Sequence, residues 1–213
     1  VSGDFYWIRH IDQNTTIFCV ADCTGHGVPG AMVSLVGVEA LNKAVGEFQI
    51  YKPSEILDKV NILLNEAFSS EGKSVADGMD IALCKLTRKG TEVELEYSGG
   101  NNPLWVFNPE REVIPQDSRA IHNEDDDTIG FEIKPNKFGL GKDYAEENFT
   151  NHQLILEKGD EIIIFTDGYA DQFGGKSLSD KPMGKKFKYS RLKQLIFQVY
   201  ADSADQQRTT LDG

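Results

Sequence analysis

Three short β-type runs follow one another with very little chain between them. Asp80 to Thr87, Glu92 to Ser98 and Leu104 to Asn108 are separated by the turn signals Arg88-Lys89-Gly90 and Gly99-Gly100-Asn101-Asn102-Pro103. Connections that short join only antiparallel neighbours, because a parallel pair needs a crossover of about a dozen residues or more. The pattern recurs at both ends. Phe5 to Ile11 and Thr15 to Asp22 flank Asp12-Gln13-Asn14 and read as a β-hairpin, and Glu157-Lys158-Gly159-Asp160 joins Gln153 to Leu156 with Glu161 to Thr166.

Helical periodicity is confined to other stretches. His26 to about Phe48 is largely apolar and opens on Gly27-Val28-Pro29-Gly30. A second helix starts at Pro53-Ser54-Glu55 and carries Ile56, Val60, Leu63, Leu64 and Ala67 on one stripe. A last amphipathic helix is expected from about Ser190 to Tyr200, just before the end of the chain. Residues 117–151 read as polar and irregular, with a solvated acidic run from Glu124 to Asp127. The basic run Lys181 to Lys188 reads as a surface loop, with an acidic or phosphorylated partner as the other reading. Strands grouped apart from helices define an α+β fold with helices covering antiparallel sheets. A receiver domain, which alternates strands and helices in a parallel sheet, does not fit. No repeat or low-complexity linker interrupts residues 1–213, so a single domain is expected.

Composition narrows the function. A formal net charge of −12 argues against a nucleic-acid partner, since phosphate neutralisation needs clustered Lys and Arg, and suits a protein that gathers carboxylates around cations. No apolar run approaches bilayer length and the VSGDFYW start is not a signal peptide, so direct membrane insertion is not expected. Three cysteines without a CxxC pair make neither a disulfide framework nor a zinc cluster, which favours a cytoplasmic setting. Cys23 and Cys84 read as small buried residues.

The first hairpin carries the most informative geometry. If its turn centres on Gln13, Ile8 faces Phe18, Tyr6 faces Val20 and Asp4 faces Asp22, all on one side of the sheet. An apolar face then ends in two opposed carboxylates. Such a pair either shares a proton or binds a hard cation such as Mg²⁺ or Mn²⁺, unless it is merely solvated at a frayed end. Cys23-Thr24-Gly25-His26-Gly27 follows, a small-residue turn into a helix that lets backbone groups approach a ligand closely. The phosphate-loop pattern GxxxxGK[ST] is absent. A second apolar strand, Ile162 to Phe165, delivers Asp167 and Gly168, where Asp167 is either a third site carboxylate or a simple cap. His26 is either a general acid or a structural residue. The latter is favoured because the dipole of the helix it opens disfavours an imidazolium.

Read together, Ser2-Gly3-Asp4-Phe5-Tyr6, the run from Val20-Ala21-Asp22-Cys23-Thr24 to Pro29, and Phe165-Thr166-Asp167-Gly168 resemble the SpoIIE/RsbU-type branch of the PP2C-like (PPM) metal-dependent serine/threonine protein phosphatases. Gly78-Met79-Asp80-Ile81-Ala82-Leu83, Gly99 to Leu104, Gly159-Asp160 and Gln172-Phe173-Gly174-Gly175 extend the resemblance over nearly the whole chain. It implies an αββα sandwich, two mainly antiparallel sheets packed face to face and flanked by helices, with two Mn²⁺ or Mg²⁺ ions at one end. By motif position Asp22 bridges the metals, the Cys23 carbonyl is a ligand of one, Asp4 binds the other directly or through water, Asp167 completes the cluster and Asp80 lies near it. Gly168, His26 and Asp77 are accessory candidates. The implied activity is hydrolysis of phosphoserine or phosphothreonine on a regulatory protein, of the STAS-domain anti-anti-sigma kind, through a metal-activated water. A fused or associated sensor domain, and room for a homodimer, come with it, the phosphatase being a cytoplasmic domain. Family members also carry a strand before the first motif and a last strand with an Asp-Asp pair. The chain has neither and reads as a domain clipped at both ends, which keeps open a degenerate phosphatase-fold sensor or scaffold.

Overall fold

In the computed structural model, which describes residues 3–25, 27–68, 78–125, 127–141, 147–174 and 185–212, side chains along β2 (Thr15–Cys23) alternate between buried and half-buried positions. Ile17, Cys19, Ala21 and Cys23 turn toward a helical layer, whereas Phe18 and Val20 turn toward a second sheet. This period of two sets the layers. The first sheet runs β1 (Phe5–His10), β2, β3 (Met79–Lys89), β4 (Glu92–Gly100), then β8 (His152–Leu156), antiparallel throughout. The second orders β6 (Ser118–His122), β7 (Thr128–Ile133), β5 (Leu104–Phe107) and β9 (Glu161–Ile163), also antiparallel. Residues Phe173–Gly174 (β10) and Lys185–Lys186 (β11) pair as a short ribbon.

Between the two sheets Ala82, Cys84, Leu95 and Tyr97 meet Leu104, Val106, Phe131 and Ile133. On the outer face of the first sheet lie α1 (Val28–Asn42) and α2 (Pro53–Phe68). Helix α3 (Tyr189–Val199) covers the second sheet by packing Leu192 and Ile196 on Trp105, Phe107 and Ile121. The result is an αββα sandwich. Along α2 the buried stripe is Ile56, Leu57, Val60 and Leu64, each worth ~1.5–3 kcal/mol of burial. Leu57 joins the expected stripe, and Ala67 is exposed at its end.

Both sides of the first hairpin follow the expected register, with Tyr6 opposite Val20 and Ile8 opposite Phe18. Its apolar face is only half covered, because Phe18 and Val20 reach the inter-sheet core while Tyr6 and Ile8 stay 78% and 57% exposed. Four expectations need correction. The stretch read as irregular contains the β6–β7 hairpin, and the exposed Glu124, Asp125 and Asp127 lie in its turn. Strand β9 stops at Ile163 instead of Thr166, because the following residues leave the ladder toward Asp4. A further helix, α4 (Ala204–Asp212), follows α3. Lastly, α1 and its π-helical extension Lys43–Glu47 form a 20-residue helix containing an 18-residue window of mean hydropathy 1.2, long and apolar enough to span a bilayer by composition. Its Val33, Ala40, Leu41, Ala44 and Val45 are buried in the core beneath the first sheet, whereas Val28, Met32 and Leu35 stay exposed.

Candidate active site

Asp22 is the ladder partner of Asp80 on β3, and continuing the β1–β2 register by one residue sets Asp4 on its other side. The three share the parity of Val20 and Ala82, so their carboxylates stand in a row across three strands at the end of the inter-sheet face. Asp167 comes from the opposite sheet, four residues beyond β9. The Thr166 hydroxyl donates a 2.8 Å hydrogen bond to Asp4 Oδ2, tying the tail of β9 to the first sheet. Gly168 lies beside the same oxygen, 3.4 Å from where its Cβ would be. Asp22, Cys23, Thr24, Gly25 and Asp80 line an open cleft of about 360 Å³.

The turn after Asp22 is pinned to Gly78 through Thr24. Thr24 N–H donates to the Gly78 carbonyl at 2.8 Å, and Gly78 N–H donates to Thr24 Oγ1 at 2.9 Å. Gly25 has φ of 88°, a left-handed conformation that favours glycine. Gly30 permits the closest approach, since a Cβ there would lie 2.7 Å from the Gly25 carbonyl oxygen. The Ser34 hydroxyl contacts both the Gly3 and Gly30 carbonyls, so the start of α1 grips the segment that carries Asp4.

Crowded carboxylates change each other's chemistry. Burial, then the hydrogen bond and charge of Asp4, then Asp167, push the Asp22 carboxyl up to about 7. Near neutral pH the Asp22 carboxyl is therefore only partly ionised. Burial pushes the Cys23 thiol up to about 11, so it is not a thiolate near neutral pH. The hard-oxygen donor set of Asp4, Asp22, Asp80 and Asp167 suits Mg²⁺ or Mn²⁺. Among the described residues, however, no three His, Cys, Asp or Glu side chains have closed to a spacing that would hold an ion as they stand.

Of the residues singled out from sequence, Asp4, Asp22 and Asp167 come together, Asp80 joins them, and Gly168 borders Asp4. The Cys23 side chain points away into the helical layer. His26 and Asp77 lie outside the described residues. Sequence reasoning passed over Thr166 and Asn101, whose side chains bond Asp4 and Asp80. Their only signal was position within motifs whose aspartates and glycines drew attention first.

The fold and this carboxylate row define a PP2C-type phosphatase scaffold. A family profile described as Stage II sporulation protein E (SpoIIE) matches residues 12–210. The chain belongs to that family, in the SpoIIE/RsbU branch of the PP2C phosphatases. It is 24% identical over 172 residues to phosphoserine phosphatase RsbU of Bacillus subtilis (strain 168), a match covering 80% of this chain but 43% of that protein. The SiaA-PP2C domain of Pseudomonas aeruginosa superposes with a TM-score of 0.76 at 22% identity, covering 99% of this chain and 72% of that one. RsbX, solved in complex with magnesium, superposes with a TM-score of 0.59 at 15% identity, covering 100% of this chain and 79% of the other.

Proposed function

We propose that this chain is a metal-dependent protein serine/threonine phosphatase acting on a phosphorylated regulatory protein, of the small STAS-domain kind. One observation carries the reading: the Asp4–Asp22–Asp80 row meets Asp167 from the opposite sheet at an open cleft. Asp22 would be the central ligand of two Mn²⁺ or Mg²⁺ ions, with Asp4, Asp80, Asp167 and the Cys23 carbonyl around it. When bound, such ions lower the pKa of water and offset charge on phosphoryl oxygens. The chain's own residues prepare for this. Thr166 holds Asp4 by one oxygen, and the crowding that raises Asp22 is what a bound cation would relieve. The buried, protonated Cys23 thiol is no nucleophile, which favours direct attack of water over a phosphoenzyme. Three free, buried cysteines accord with work in a reducing cytoplasm. Control by a fused or associated sensor domain belongs to the same reading.

The test is phosphate release from p-nitrophenyl phosphate and from a phosphoserine protein with Mn²⁺ or Mg²⁺. Wild type should turn over, and Asp22→Ala should fall to background. No release under either metal, or an unaffected Asp22→Ala, overturns the proposal. That no three His, Cys, Asp or Glu side chains among the described residues are spaced to hold an ion favours a second reading, a sensor or scaffold that has kept the fold without the chemistry. Calorimetric titration separates the two, because the enzyme must bind Mn²⁺ or Mg²⁺ and a scaffold need not.

A further inference from the structure

Asp80 is held by a neighbour from the next turn. Its Oδ1 accepts a 2.8 Å hydrogen bond from Asn101 Nδ2. The same oxygen abuts Gly139, where a Cβ would come within 2.5 Å of it. Among the described residues the hydrogen bond to Asp80 thus falls on Oδ1, and Asp80 lines the cleft with Asp22.

Asn101 is itself unusual. Its φ of 59° is left-handed, a conformation unfavourable to side chains with a Cβ and least so to Asn or Asp. The surroundings keep it there. Its N–H donates to the Asn136 carbonyl at 2.9 Å, Asn136 N–H donates to the Gly99 carbonyl at 2.9 Å, and a bridge joins Asn101 to Ile81, next to Asp80. On the other flank the Tyr97 hydroxyl donates to the Asn102 carbonyl at 2.6 Å. If this position were only a turn, glycine would serve it with less strain. A braced, non-glycine left-handed residue whose amide lands on a site carboxylate has a task beyond the turn.

We infer that Asn101 is a positioning residue: its amide holds Asp80 by Oδ1 and so sets the affinity of the cleft for a divalent cation. This rests on the reading of Asp22 and Asp80 as cation ligands. Partners that orient metal-binding side chains typically contribute about 10- to 100-fold in affinity or activity.

Asn101→Gly is the discriminating change, because it relaxes the backbone and removes only the amide. Mn²⁺ is titrated calorimetrically into wild type, Asn101→Gly, Asp80→Ala, the double variant and Asp22→Asn, with melting of each protein in EDTA as a fold control. Asn101→Gly should weaken Mn²⁺ by about tenfold or more without lowering the metal-free melting temperature. It should have no further effect when Asp80 is alanine, and raised Mn²⁺ should restore turnover. Wild-type affinity in Asn101→Gly, with Asp80→Ala and Asp22→Asn both weakened, overturns the inference alone. An equal loss with and without Asp80 does the same. Wild-type affinity in Asp22→Asn or Asp80→Ala removes the ligand reading, and this inference falls with it.

Discussion

Asp22→Asn should make the metal-free protein more stable at pH 8 and remove its response to metal. Asp22 sits with Asp4 and Asp167, and its carboxyl is raised from 3.8 to about 7, first by burial and then by those two charges. The folded state therefore binds a proton that the unfolded chain releases across that range. With the folded value raised, the group's contribution to stability is present in full below pH about 4 and is lost as pH rises through about 7. At 1.36 kcal/mol per pH unit the interval is worth ~4 kcal/mol. Solvent reaches this half-buried carboxylate, so screening cuts the figure to ~1–2 kcal/mol.

Asparagine keeps the shape and cannot ionise, so it should escape that loss. Urea unfolding in EDTA at pH 4, 6 and 8 measures the difference between the two proteins, in which the other titrating groups cancel to first order. Asp22→Asn should match wild type near pH 4 and exceed it by ~1–2 kcal/mol at pH 8, a rise of ~2–8 °C in melting temperature for a domain of this size. Adding Mn²⁺ should reverse the order, since a ligand at one hundred times its Kd stabilises the native state by ~2.7 kcal/mol and only wild type should bind it well. An Asp22→Asn protein no more stable at pH 8, or a difference that does not change with pH, would refute the electrostatic account of this cluster.

Two further perturbations probe what holds the cleft. Gly30→Ala should destabilise by ~1–3 kcal/mol and weaken Mn²⁺ binding, because the new Cβ would lie 2.7 Å from a backbone oxygen of Gly25. A calorimetric titration indistinguishable from wild type would show that the turn tolerates the shift. Arg111→Ala acts far from the aspartates. Its side chain, 8% exposed, pairs with Asp160, itself 1% exposed, and among the described residues removal leaves that carboxylate the Asn108 amide and the Glu157 N–H. An uncompensated buried charge costs ~3–5 kcal/mol. Urea midpoints should drop accordingly, while Mn²⁺ affinity stays unchanged at low denaturant.

Local chemistry made the first hairpin readable. Asn14 N–H donates 2.7 Å to Asp12 Oδ1, closing a turn that Asp-Gln-Asn composition announces, and the ladder that follows inherits its register from that turn. The β6–β7 hairpin escaped the same reasoning. SRAIH and TIGFEI alternate too briefly to stand out, and their apolar positions matter only because Ile121, Ile129 and Phe131 find neighbours supplied by distant residues such as Trp105, Leu192 and Val106. Helix α1 was placed from sequence, but its bilayer-like length and apolarity were not: one face fills the layer beneath a sheet, while Val28, Met32 and Leu35 stay exposed.

The site divides along the same line. Asp4 and Asp22 were paired from the alternation of two adjacent strands, a local rule. Asp80 joins them because β3 lies beside β2, a pairing across a connection of more than fifty residues that periodicity does not report. Asn101 and Thr166 depend on tertiary structure twice over: each must first be brought to the cleft and then aimed at one oxygen of one carboxylate. Motifs mark them only as neighbours of glycine and aspartate. What the folded chain adds is a division of labour, in which the aspartates supply charge and the neutral donors decide which oxygen each of two aspartates can offer. A cleft whose carboxylates are this crowded depends on that aim more than on further charge. Removing one hydrogen-bond donor should therefore change cation affinity more than it changes stability, the opposite of what a purely structural asparagine would do.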